Sequence, residues 1–245
     1  MSIQVCNLRS GETIAYSLPL LVGEVMPPIA QATLVVRHLE KKQSLAWPIH
    51  NGHFKALVQL QKGPNHLQFS FYGTTKDFTL HYQVPKLTRF VRPIYLIAEN
   101  DDGHFQGPPS EDCTPASALR RITLAVKMLQ TFTAEKLHEH GLGRRTFVLE
   151  SDLYEDRPPC CIFKSRIKVA DAYKMSGNDM WLYFAKELMS SRLFAEKDAC
   201  KWFAFLSFTR YKPPQGYTPK SHSEILKYTK GHTALGNYQL IMFLM

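Results

Sequence analysis

The chain has 245 residues, of which 44% are apolar and 12% aromatic, enough to fill the core of one large domain or two small ones. No stretch approaches the roughly 20 consecutive apolar residues of a membrane-spanning helix, and residues 1–9 form neither a basic nor an apolar leader, so a cytoplasmic or nuclear, non-secreted location is expected. Lys and Arg outnumber Asp and Glu by 30 to 21, a net charge of +9; the basic clusters at Lys41-Lys42, Arg120-Arg121, Arg144-Arg145, 164–168 and 210–212 are dispersed, which favours solvated surface over nucleic-acid binding.

The first third reads as short strands over 13–21, 32–39, 54–60, 66–72 and 78–84, separated by Pro27-Pro28, Asn51-Gly52, Gly63-Pro64-Asn65 and Gly73. Apolar residues at 54, 56, 58 and 60 alternate in part with polar ones, the pattern of a strand with one dry face. Trp47 and Pro48 precede the Asn51-Gly52 turn, which closes a hairpin with Trp47 as a core anchor. With no amphipathic helix between them, these strands predict an immunoglobulin-like β-sandwich domain over 1–86.

Beyond Pro85 the texture changes. Ile94-Tyr95-Leu96-Ile97-Ala98 is a continuous apolar run, as in a strand buried on both faces. The acidic turn Glu99-Asn100-Asp101-Asp102-Gly103 does not make a calcium loop, because with Gly103 at position six the twelfth residue is Pro109. A long helix starts at Thr114 as N-cap with Pro115 in its first position and ends at Gly141; Ala118, Ile122, Ala125, Leu129 and Phe132 form its apolar stripe. At 1.5 Å per residue it is about 40 Å long, enough to back a sheet. A strand over 144–149, a helix over 177–195 with Trp181, Phe184, Leu188 and Met189 on one side, a buried strand over 202–208, a Pro- and Lys-rich loop over 212–220 and an apolar run over 238–245 follow. The fold class is therefore α+β, mixed: a β-sandwich domain over 1–86, then a domain over 87–245 with a mostly parallel or mixed sheet and a long backing helix.

No residue qualifies as catalytic or as a metal ligand. Cys6, Cys113, Cys160, Cys161 and Cys200 are odd in number and scattered, which fits reduced thiols, and Cys160-Cys161 lacks the spacer of a zinc knuckle. His138-Glu139-His140 places two histidines two apart on a helix, pointing about 200° away from each other, where a zinc pair stands four apart.

Several segments together resemble a zinc metallopeptidase family of the zincin type, whose members join a β-sandwich-like region to a catalytic domain. They are Asn51-Gly52-His53-Phe54-Lys55-Ala56, Gly63-Pro64-Asn65-His66-Leu67, 94–101, 125–132, Gly143-Arg144-Arg145-Thr146-Phe147, Phe205-Leu206-Ser207-Phe208-Thr209-Arg210-Tyr211 and Gly231-His232-Thr233-Ala234-Leu235-Gly236. The resemblance implies a zinc cofactor in full-length members, held by an H-E-x-x-H helix whose glutamate activates water, and peptide or protein substrates. No H-E-x-x-H occurs here, so the chain reads as stopping before that helix and as inactive alone. The resemblance also implies an edge strand that binds substrate through its backbone, placed at Ala234, Leu235, Gly236, Tyr238 and Leu240. The alternative is a non-enzymatic interaction module that takes a protein partner on the β-sandwich and the exposed C-terminal strand.

Overall fold

A computed structural model of the chain describes residues 1–191, 199–231 and 240–243. The fold is mixed α+β, with most regular structure in strands. The chain divides into two compact units, residues 1–86 with 127–146, and residues 87–126 with 147–245. Among the described residues no helix is long and apolar enough to cross a membrane.

The first unit is built on one sheet of eight strands: β1 (Ser2–Val5), β2 (Glu12–Ile14), β3 (Leu20–Met26), β4 (Gln31–His38), β5 (Gln43–His50), β6 (His53–Leu57), β7 (Gly63–Phe71) and β8 (Thr74–Tyr82). Hydrogen bonding runs without a break in the order β1-β3-β6-β5-β4-β7-β8-β2, antiparallel except for β2 beside β8. Alternate residues of β7 and β8 point into one core, Leu67, Phe69 and Phe71 from one and Phe78, Leu80 and Tyr82 from the other, as a period of two requires. The sheet curls so far that β1 touches β8. Its single apolar face therefore closes on itself, and the rings of Phe54 and Phe69, on strands that are not neighbours, lie 6.0 Å apart. The expected hairpin forms between β5 and β6, with Asn51 at φ 49° and Gly52 at φ 79°, the left-handed pair of a type I′ turn. The single strand expected over 13–21 is two, β2 and β3.

The long helix α1 (Pro115–Glu139) starts as expected, with the backbone N–H of Ser117 donating to Thr114 Oγ1 at 3.3 Å, and Gly141 follows its end at φ 75°. Its stripe is rotated from the expected one. Ala118, Ile122, Val126 and Ala134 are buried, whereas Ala125 is exposed and Phe132 keeps 58% of its surface. The difference arises because polar residues take the inward positions: Thr131 Oγ1 donates to the Leu18 carbonyl at 2.5 Å, a bond an apolar side chain could not make. One turn on, Glu135 accepts from Tyr16 Oη at 2.6 Å and from Arg144 Nε at 3.0 Å, and Arg144 Nη1 reaches Glu12 at 2.8 Å. Burial and the Glu135 carboxylate push the Tyr16 hydroxyl well above the ordinary range.

The second unit holds a parallel sheet of β9 (Phe90–Ile97), β10 (Cys161–Lys164), β11 (Cys200–Leu206) and β14 (Leu240–Phe243), in the order β10-β9-β11-β14. A two-stranded ribbon of β12 (Arg210–Tyr211) and β13 (Thr229–Lys230) and the helices α2 (Glu150–Leu153), α3 (Val169–Ala172), α4 (Gly177–Ser190) and α5 (His222–Lys227) complete it. Every residue of β9 is buried, as its unbroken apolar run demands. Met180, Phe184 and Leu188, four apart on α4, join Ile94, Leu96, Trp202 and Ala204 in one core, while Met189, expected inside, is exposed. The strand expected over 144–149 reduces to one bridge, Leu149 to Val91, and the chain enters α2.

One charge lies within that apolar strand. Arg92, 3% exposed, donates from Nε to Glu150 Oε2 at 2.6 Å and from Nη2 to Oε1, and Glu150 itself is 2% exposed. Burial opposes the guanidinium charge, yet the Glu150 bond, together with the attraction of Cys200, Glu150 and Cys161, outweighs it and raises the pKa above its usual range. Glu150→Ala is expected to cost about 3–5 kcal/mol in denaturant unfolding by stranding a buried cation, whereas Arg92→Met combined with Glu150→Leu returns to within about 1 kcal/mol of the parent.

Candidate functional site

In an open parallel sheet, ligands bind outside the carboxyl ends of the strands, where connections leave in opposite directions. Here that point falls between β9 and β11, because the chain leaves β9 toward β10 on one side and β11 toward β14 on the other. Two loops meet there. Ser207 follows β11, and its backbone N–H donates to Leu96 O of β9 at 3.0 Å while its hydroxyl donates to Asp101 Oδ2. Arg210 Nη1 donates to the carbonyls of Ser207 at 2.6 Å and Thr209 at 2.9 Å, and its Nη2 to that of His104 at 3.0 Å, with Asp101 Oδ1 4.0 Å away. Gln106 binds the backbone of Tyr211 twice, donating to its carbonyl at 2.9 Å and accepting from its N–H at 2.6 Å. Beneath them Tyr95 Oη donates to Gly103 O at 2.6 Å, and burial raises its pKa.

This rim is a positioning network. The Ser207 hydroxyl is fully buried and bound to a carboxylate, so it lacks the base and the exposure that nucleophilic catalysis needs. The arrangement instead fixes the two loop crests on either side of the crevice. Asp101 was visible in sequence only as part of an acidic turn, and Ser207 and Arg210 only as part of a family-like segment; their pairing across 106 residues or more carries no local signal.

β14 stands at the end of the sheet, with Leu240 beside Trp202 of β11 and its far edge unpaired among the described strands. Of the edge-strand residues expected to bind substrate, Leu240 lies on this strand, and Ala234, Leu235, Gly236 and Tyr238 lie outside the described residues.

The residues that invite a metal reading do not fit zinc. Zinc takes thiolates and convergent imidazoles. Burial pushes the Cys160 thiol up to about 12 and raises that of Cys161 as well, which keeps both protonated at neutral pH. His138 and His140 are exposed at the end of α1, and Glu139 between them is held by Lys136 Nζ at 2.6 Å. One constellation had no sequence signal: Glu40 lies between His38 Nδ1 at 3.2 Å and His66 Nδ1. Its carboxylate also accepts from the His66 N–H at 3.1 Å, and His38 Nε2 is bound to Asn65 Oδ1 at 2.9 Å, so the cluster clamps β4 to β7. Burial would raise the Glu40 pKa, but the His66 bonds outweigh it and lower it. Among the described residues no group of three or more His, Cys, Asp or Glu side chains could hold an ion.

A sequence profile of the family described as "Putative peptidase family" matches residues 2–243. A Schizosaccharomyces pombe protein named a putative zinc metalloproteinase is 25% identical over 158 residues, which cover 63% of this chain and 26% of that protein. A Saccharomyces cerevisiae protein of the same description is 28% identical over 153 residues, 59% of this chain and 22% of that protein. The chain thus spans about a quarter of the length of these curated relatives.

The thiols offer a check on the structural reading of the cysteines. Exposed Cys6 is expected to react with a thiol reagent at once at pH 8, and Cys160 and Cys200 only on unfolding, as read by mass spectrometry. A Cys160 thiol that ionises at about 12 when folded and near 9.0 when unfolded also loses stability as pH rises from about 9, because only the unfolded chain gives up the proton there. The slope for this one group is about 1.4 kcal/mol per pH unit, and the difference between parent and Cys160→Ala in a pH series of urea unfolding measures it.

Proposed function

The chain belongs to the Putative peptidase family, and from that premise we propose that it forms the substrate-engaging part of a zinc-dependent peptidase acting on peptides or proteins. Relatives named zinc metalloproteinases support zinc as the family's metal. Peptide hydrolysis on zinc requires a ligand set that polarises the carbonyl and activates a water, and the 245 residues contain no H-E-x-x-H to supply one. By this reading the polypeptide as it stands hydrolyses nothing.

The observation that carries the substrate-engaging role is the open edge of β14. Among the described strands β14 is paired on one side only; such an edge presents a row of N–H and C=O groups, and an extended peptide can add to it as a further strand. On this reading the peptide lies along Ala234, Leu235, Gly236, Tyr238 and Leu240 and makes its hydrogen bonds to backbone, so sequence preference is broad.

The same edge supports a second reading, a module that captures one folded protein without taking part in hydrolysis. The two differ in competition: short unfolded peptides of varied sequence displace one another from a substrate edge, whereas a single partner is required by the module.

A quenched fluorogenic peptide incubated with the purified chain and added zinc is expected to be cleaved no faster than in the zinc blank. Hydrolysis that a chelator abolishes, and that copurifies with the chain through two chromatographic steps, would refute the inactivity.

A further inference from the structure

Residues 210–230 carry a marked excess of positive charge. Arg210, Lys212, Lys220, Lys227 and Lys230 stand against one carboxylate, Glu224. That carboxylate is already engaged: it accepts from Tyr217 Oη at 2.9 Å and from the Lys220 N–H at 2.7 Å, and these bonds hold its pKa low. Lys212, Lys220, Lys227 and Lys230 are exposed, and none has an ion pair among the described residues.

The ribbon's register sorts these charges. Arg210 pairs with Lys230 and Tyr211 with Thr229, and the Lys212 N–H donates to Tyr228 O at 2.9 Å, which continues the pairing by one step. With a side-chain period of two, Arg210 and Lys212 share one face of the ribbon with Lys230 and Tyr228, and Lys227 Nζ lies 5.7 Å from the centre of the Tyr228 ring. Half-buried Tyr211 and buried Thr229 take the opposite face. Like charges directly opposite one another destabilise a strand pair, and here nothing in the segment relieves them. Arg210 itself is spent on the carbonyls of Ser207, Thr209 and His104. Arg210 has Asp101 Oδ1 at 4.0 Å, but Lys212 and Lys230 have no carboxylate in ion-pair contact among the described residues, and an external anion would complete that part of the face.

We propose that this ribbon is a docking surface for an acidic segment of polypeptide, rich in Asp or Glu, gripped by Lys212 and Lys230 and flanked by Lys227. An acidic peptide fits better than a single-stranded nucleic acid because base recognition needs open aromatic faces, and the tyrosines here are turned on one another: the rings of Tyr217 and Tyr228 are 4.8 Å apart, edge to face. This surface goes beyond the peptidase reading and does not depend on it.

The test is fluorescence anisotropy of a labelled oligoglutamate, its oligoglutamine counterpart and single- and double-stranded oligonucleotides, at low and at physiological ionic strength. Oligoglutamate is expected to bind in a salt-dependent manner and more tightly than either oligonucleotide, and oligoglutamine not at all. Lys212→Gln with Lys230→Gln should weaken it by roughly tenfold, the loss of two exposed ion pairs. Lys212→Arg with Lys230→Arg should retain it, and Lys55→Gln, an exposed lysine on β6, should leave it unchanged. Absence of oligoglutamate binding, tighter binding of an oligonucleotide at physiological salt, or an equal loss in Lys55→Gln would each overturn the proposal. The assay measures no hydrolysis, so its failure leaves the peptidase reading standing.

Discussion

A guanidinium within a strand that is buried along its whole length is the constraint on which the second unit turns. Arg92 is the third residue of β9, beside Trp202 of β11, and desolvating a lone cation there would cost several kcal/mol. Glu150 removes that penalty through two bonds from the arginine fork, a geometry lysine could not reproduce. The pairing also dictates chain path. Glu150 opens α2, whose first turn is held where the Leu149 N–H donates to Asp152 at 3.0 Å, and Leu149 bridges to Val91 beside the arginine. The segment 144–149, whose composition favours a further strand, thereby keeps only the Leu149 bridge, and helix α2 begins at Glu150.

With β9 fixed, the position of the crevice follows. The chain leaves β9 toward β10 on one side and β11 toward β14 on the other, and the loops after β9 and β11 are tied there by Ser207, Asp101 and Arg210. The ribbon of β12 and β13 leaves from the same loop, so the positioning network and the cationic face share Arg210, which anchors with its guanidinium and contributes its charge. The chemistry of the rim is that of holding rather than cutting: a buried serine on a carboxylate, and an arginine on carbonyls. Among the described residues no cluster of His, Cys, Asp or Glu could hold a metal ion, and the far edge of β14 is unpaired among the described strands.

What the sequence reveals unaided is what local chemistry decides. The Asn51-Gly52 turn, the Thr114 cap, Gly141 and the doubly buried β9 are each specified by a few adjacent residues, and each forms as read. β5 is hard to read because four of its first residues are exposed and Pro48 interrupts it, so only the hairpin arm before the turn shows. The inward face of α1 is misread for a related reason. Apolar spacing alone favours Phe132, while Thr131 is drawn inward by a carbonyl 113 residues away. Distance along the chain likewise hides Arg92 with Glu150, Ser207 with Asp101 and His38 with His66; an arginine within an apolar run signals that a partner exists without saying which. The edge strand was read from family likeness, and of its five residues only Leu240 falls within the described chain.

We propose that the chain holds no catalytic zinc: among the described residues no group of His, Cys, Asp or Glu assembles a site for it. Competition against a chromogenic zinc chelator, followed spectrophotometrically as the purified chain is titrated in, tests it most directly. The account predicts that the chelator keeps its zinc at every protein concentration. Withdrawal of one zinc ion per chain with a sharp equivalence point would contradict it.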